Sequence, residues 1–186
     1  HSFYDRDEVL FFSVHQFPHY PGTGRAEEVG QGRGRGFSIN VPLPSGQGDA
    51  EYLAVFRELL LPVALEYRPQ LVLVSAGFDT HAGDPLASME VSAAGFGAMT
   101  GVLLQIAAAC CPGRLVFALE GGYDLLALAE GVEAVLLALL SGAGQTAQPG
   151  EPGSAAREVI ERARRLLGPF WKRLLPPAAE PACTNS

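Results

Sequence analysis

Cysteine is scarce: the 186 residues hold three, two of them vicinal at Cys110 and Cys111 inside an apolar run and the third at Cys183. That makes neither a disulfide framework nor a CxxC metal pair, so reduced thiols in a cytoplasm are the expectation. Basic residues are also few, 13 Lys and Arg against 20 Asp and Glu for a formal charge of −7, and the one dense stretch is Arg162-Ala163-Arg164-Arg165. A phosphate-tracking grip on nucleic acid is therefore disfavoured, and cationic ligands suit the field better. Long apolar runs are missing: none reaches the roughly 18 to 20 residues of a membrane span. The opening His1-Ser2-Phe3-Tyr4-Asp5 also lacks the charged-then-apolar layout of a signal peptide. What is plentiful is dispersed apolar residue, 48% of the chain, which suits one globular domain. The first residue is His rather than Met, and a strand pattern begins by residue 9, so an N-terminal portion is expected to be absent.

Residues 9–15, VLFFSVH, form a short apolar run without strict alternation, the pattern of a parallel strand buried on both faces. The segment 16–36 follows, with Pro18, Pro21 and glycines at 22, 24, 30, 32, 34 and 36, too many for a helix or a central strand. A loop of that length is usually functional or disordered. A strand is expected over 37–41, closed by Pro42 and Pro44. Asp49 is a plausible N-cap for a helix with apolar positions Leu53, Phe56, Leu60, Val63 and Tyr67, which Pro62 should kink or split. Buried strands are expected over 71–76 and 115–119, with an Ala/Leu-rich helix over 92–111 between them and a helix capped by Asp124 running to about residue 140. This alternation of strand and helix predicts an α/β domain with a mainly parallel sheet and helices on both faces. Residues 142–153, GAGQTAQPGEPG, read as a flexible linker, 154–175 as a separate amphipathic helix carrying Trp171, and 176–186 as a disordered tail.

In open parallel sheets ligands bind outside the carboxyl ends of the strands. Three such ends deliver His15 with the glycine-rich loop, Phe78-Asp79-Thr80-His81-Ala82-Gly83-Asp84-Pro85, and Gly121-Gly122-Tyr123. Asp79 is either a metal carboxylate or a cap on the next turn. A carboxylate just past a buried strand needs a cation or backbone donors to remain ionised. The pair Asp79 and His81 resembles a zinc pair only weakly, and a capping or solvent-facing His81 is the simpler reading. Asp84 before Pro85 is most simply a turn residue accepting backbone hydrogen bonds. Tyr123, after two glycines that let main chain approach a ligand, is either a donor facing a crevice or a surface ring. His15 and His19 are each a ligand or, more commonly for such positions, structural. The alternation Gly32, Gly34, Gly36 precedes a strand and lacks a GK[ST] ending, so it matches a phosphate loop poorly.

Four ordered strings, SFYDRDEVLFFSVHQF (2–17), YPGTGRAEEVGQGRGRGFSINVPLP (20–44), SAGFDTHAGDPLA (75–87) and LEGGYD (119–124), carry a resemblance to the histone deacetylase family. The chain is similar to the C-terminal portion of its bacterial and class II type members, over roughly residues 2–141, and the 154–175 segment ending in FWKRL is similar too. The resemblance implies an arginase-like α/β fold around about eight parallel strands and a catalytic zinc held by two Asp and one His. By motif position Asp79 matches the second aspartate ligand, and Tyr123 the tyrosine that donates to the scissile carbonyl and its oxyanion. Tyr20 and Leu86 match apolar walls of the tunnel for the acetyl-lysine stem, and Gly122 the backbone lining it. Ser13 and Val14 match main-chain contributors to one potassium site, and Phe3, Arg6 and Val9 to a second. His81 is not a zinc ligand in this alignment.

The family's paired histidines, first zinc aspartate and zinc histidine fall upstream of residue 1, so one of three zinc ligands and none of the base pair is present. Residues 1–141 are thus expected to be an incomplete catalytic portion, inactive alone, of a zinc-dependent deacetylase. Its substrate would be N-acetyl-lysine of proteins or an acetylated polyamine, with no nucleic acid or membrane partner and a homo-oligomer left open. The rival reading is a non-catalytic interaction module or a subunit completed in trans.

Overall fold

The computed structural model describes residues 2–142 and 150–175. Most of the expected linker, 143–149, and the whole expected tail, 176–186, lie outside the described residues. Strand β1 (Phe11–Gln16) pairs in parallel with β2 (Ser38–Leu43), Phe11 opposite Ser38 and Gln16 opposite Leu43. Strand β3 (Val72–Ala76) pairs in parallel with β4 (Leu115–Leu119), from Val72 opposite Leu115 to Ala76 opposite Leu119. Between and after them lie helices α1 (Asp49–Val55), α2 (Leu61–Tyr67), α3 (Ala93–Cys110), α4 (Leu125–Ser141) and α5 (Ser154–Leu167). Parallel pairing joined by helices makes this an α/β fold, as the alternation of patterns predicts.

Several elements depart from expectation, each for a local reason. Strand β2 continues through Pro42, which sits opposite His15; with a single partner strand among the described residues, a missing N–H on its other side breaks no pairing. Asp49 is the first residue of α1 rather than its cap. Its carboxylate instead accepts from Ser92 N–H (2.8 Å) and Ser92 Oγ–H (2.6 Å), tying α1 to the start of α3. Pro62 interrupts the α-helical run, as expected: a π-helical stretch, Phe56–Leu60, separates α1 from α2, and Pro62 falls in the first turn of α2. Helix α5 stops at Leu167 because Gly168 and Pro169 follow. The chain then turns so that Trp171, off the helix, buries its ring and donates Nε1–H to Gly36 O (2.9 Å).

Burial also differs. Strand β2 is covered on both faces, with Ile39, Val41 and Leu43 fully buried and α5 packed against it. Strands β3 and β4, expected to be buried, are not. Val72, Val74, Leu115 and Phe117 lean on the cluster formed with α1, α2 and α3, whereas Leu73, 66% exposed, and Val116 face outward with the alternation a strand imposes. Helix α3 is long and apolar enough to cross a membrane by length and composition, with mean hydropathy 1.6, contrary to the expectation that no run reaches that length. It is 61% buried inside the fold, packed against α1, α2 and α4 as a core helix.

Ser92 starts that helix. Its Oγ accepts Gly95 N–H (3.2 Å) while its hydroxyl proton goes to Asp49. Ser92→Ala removes the cap and the tie together and lowers stability by about 1–2 kcal/mol. The urea midpoint should fall with an unchanged slope, and an unmoved midpoint would show the cap to be dispensable.

Candidate active site

The parallel register carries β3 and β4 to the same end of the molecule, and main-chain bonds keep the chains together beyond it. Glu120 N–H donates to Ala76 O (3.0 Å) and Phe78 N–H to Gly121 O (2.7 Å). The Phe78 ring then turns inward against Phe96, centroids 4.8 Å apart, which leaves Asp79 to face the crevice between the two loops. Its carboxylate lies over Gly121: a Cβ there would fall 2.5 Å from Asp79 Oδ2, so a side chain at 121 would displace it. Asp79 is half-buried, and among the described residues the only hydrogen bond it receives is from its own main chain. Burial pushes its carboxyl above the usual carboxylate range, helped by the charges of Asp84 and Glu120 and opposed by that backbone bond and by His19.

Asp84 joins the two loops. It is only 8% exposed. Oδ1 accepts Leu86 N–H (2.9 Å) and Ala87 N–H (3.4 Å), and Oδ2 reaches across to accept Tyr123 N–H (2.8 Å). The expected turn role is there, but the second oxygen holds the tyrosine's backbone, a role that reading the turn alone missed. Gly122, at φ +140°, makes the bend before Tyr123; a Cβ would lie 3.0 Å from Leu128 Cδ1 and 3.2 Å from Phe78 Cβ. The Tyr123 ring is 58% exposed and projects from this bend.

The structure therefore brings Asp79, Gly122, Tyr123 and Leu86 together on one pair of linked loops. Leu86 is exposed, and Tyr20, 91% exposed, stands on the 16–36 loop. Ser13 and Val14 lie on β1, and Phe3, Arg6 and Val9 on the segment before it, where Phe3 O accepts Arg6 N–H (3.1 Å). Two glycines of the alternation serve packing: a Cβ on Gly34 would meet Arg6 N at 2.5 Å, and one on Gly36 would meet the Phe170 ring, whereas Gly32 has open space around it. His15 is structural, its Nε2 bound to Gly24 O (3.0 Å) and its Nδ1 to Ser13 Oγ (2.9 Å), and burial pushes its imidazole below the ordinary range. His81 accepts Gly83 N–H at Nδ1 (3.0 Å) and stacks on Phe96.

A catalytic zinc takes about three protein ligands. Among the described residues, Asp79 is a carboxylate served by no other residue, which is the character of such a ligand, but no group of three or more His, Cys, Asp or Glu is placed to hold a metal ion.

Comparison with known proteins accords with this geometry. Residues 1–139 match the family described as Histone deacetylase domain. The chain is 40% identical over 172 residues to the rice protein Histone deacetylase 10, chloroplastic, covering 89% of this chain and 39% of that one. It is 42% identical over 179 residues to the human Polyamine deacetylase HDAC10, covering 92% of this chain and 26% of that one. Among solved structures, the histone deacetylase Clr3 superposes with a TM-score of 0.88 at 32% identity, covering 94% of this chain and 30% of that one. The chain thus spans less than half the length of the curated relatives it matches. With the family matched over most of its length, and the same fold found in a solved member, the chain belongs to the histone deacetylase family.

Proposed function

We propose that this chain supplies the Asp79 carboxylate and the Tyr123 phenol to the centre of a zinc-dependent hydrolase that removes acetyl groups from N-acetyl-lysine of proteins or from related acetylated amines. The observation that carries the reading is a half-buried carboxylate with no donor among the described residues but its own main chain, set on a loop bonded to the loop of an exposed tyrosine. Asp79 would be one zinc ligand, and the others would come from outside the described residues. Zinc, when bound, polarises an amide carbonyl and acidifies its water. The part of this chain is to place groups around that chemistry. Tyr123 donates its O–H to the amide oxygen as that oxygen gains charge. Asp84 holds the Tyr123 main chain, so the phenol is positioned before substrate arrives. Leu86, Gly122 and Tyr20 flank the aliphatic stem, and main-chain oxygens of Ser13 and Val14, and of Phe3, Arg6 and Val9, are assigned to two potassium ions.

The net charge of −7 suits cationic substrates, lysine tails and polyamines alike. Cys110 and Cys111 are free thiols, in keeping with a reducing compartment, for which we propose the cytoplasm. The outward apolar residues Leu73 and Val116 favour completion of the site by further chain packed on β3 and β4, in the same polypeptide or in trans.

The test separates the part from the whole. The 186-residue chain alone should hold zinc weakly and deacetylate neither an acetyl-lysine peptide nor an acetylated polyamine, whereas a polypeptide carrying the whole family domain around it should hydrolyse at least one. Tight stoichiometric zinc in the isolated chain by elemental analysis, or an inert whole domain with metal bound, would overturn the proposal.

A further inference from the structure

Tyr52, on α1, is 2% exposed, and its hydroxyl is buried with no hydrogen-bond partner, the one side-chain polar atom so left among the described residues. Native interiors leave few such groups, and an unmet buried hydroxyl carries a penalty that a merely apolar ring would avoid. Phenylalanine would fill the same space without it. The surroundings say where the hydroxyl belongs. Tyr52 belongs to the larger buried core cluster, which also holds Phe78, Met89, Val91 and Phe96. Phe78 precedes Asp79 directly, and Val91 N–H donates to Thr80 O (3.1 Å), so this cluster is the floor on which the Asp79 loop rests. The negative charge of Asp79 reaches the phenol and, after burial, adds to holding it in its O–H form. Asp79 in turn receives no hydrogen bond from another described residue. A buried donor without an acceptor and a half-buried carboxylate with no donor from another described residue thus lie in one neighbourhood.

We propose that Tyr52 is a positioning residue of the site: its hydroxyl donates to the Asp79 carboxylate, directly after a small side-chain rotation or through one bridging water, and fixes the direction in which the other oxygen is presented. This rests on the role given to Asp79 above. Donation from below leaves one carboxylate oxygen free toward the crevice, the arrangement that a supporting partner gives to a metal-binding carboxylate.

A double-mutant cycle on the full chain tests it. Tyr52→Phe should lower Tm by about 2–4 °C in the wild-type background, and should not lower it when Asp79 is already Ala, where the hydroxyl has lost its acceptor and its removal is neutral or stabilising. Equal shifts in both backgrounds, or a Tyr52→Phe variant that melts higher in the wild-type background, would overturn the proposal, since a ring that only packs has no coupling to residue 79. A second measurement does not depend on stability. The wild-type minus Tyr52→Phe Raman difference isolates this residue's Fermi doublet, which should be that of a strong donor, and the pattern of an unbonded phenol would overturn the proposal equally. Neither readout uses activity, so missing coupling with an active whole domain defeats the Tyr52 role alone, and coupling in an inert one defeats the deacetylase reading alone.

Discussion

In a polypeptide carrying the whole deacetylase domain, replacing Tyr123 by Phe lowers turnover on an acetyl-lysine peptide by about 10²–10³-fold, the effect of removing one preorganised oxyanion donor, while KM changes little. The ring is retained, so any wall it offers the substrate stem persists. The loop is retained too, because Asp84 holds residue 123 through its main-chain N–H, which the substitution leaves in place. With the ring 58% exposed, no packing is lost that would lower stability. What disappears is a single O–H aimed where charge develops, an interaction stronger in the transition state than in the ground state, and such a loss falls on kcat. Equal kcat values for the two enzymes would remove Tyr123 from the chemistry. A matching rise in KM instead would make it a substrate-binding residue.

The features legible in the sequence were those that depend on neighbours along the chain. Short apolar runs marked β1, β3 and β4, the Ala/Leu period marked α3, and Asp124 was placed correctly as the cap of α4, its Oδ1 accepting Ala127 N–H (2.8 Å). Placing Asp79 and Tyr123 after strand carboxyl ends was enough to set them on neighbouring loops, because parallel pairing sends both ends the same way. Their chemical roles came from the motif resemblance, since a carboxylate after a strand is as readily a cap. Contacts between distant segments were not legible. The second oxygen of Asp84 meets an amide 39 residues away, a contact set by the register of β3 on β4, and local turn chemistry predicts only the first oxygen. Tyr52 sits among Leu53, Ala54 and Val55 as one more apolar position, and nothing in that string marks its hydroxyl as unmet. The exposure of Leu73 and Val116 was invisible for a similar reason: an apolar run specifies a strand that can be buried, whereas burial depends on what lies across it.

Asp84→Ala has the largest expected effect on stability. The substitution leaves the N–H groups of Leu86 and Tyr123 without their acceptor at a site almost closed to water, together with the longer bond from Ala87 N–H. Bonds from main-chain donors to a charged acceptor contribute about 1.5–3 kcal/mol each, so the two short ones put the loss at about 3–6 kcal/mol, a fall in Tm of at least about 6–12 °C for a chain of this size. Asp84→Asn separates the two loops' dependence on it. One carbonyl oxygen still accepts Leu86 N–H, but the amide nitrogen that replaces Oδ2 meets Tyr123 N–H as donor against donor. The turn therefore holds while the loop bearing Tyr123 is released. Asn should cost about half the stability that Ala does, yet speed hydrogen exchange at the Tyr123 amide as much as Ala does, and in the whole domain it should lower kcat beyond what its stability predicts. If that amide stays as protected in the Asn variant as in the wild type, the phenol is held by something other than Asp84, and the link between a buried carboxylate and the placement of Tyr123 is lost.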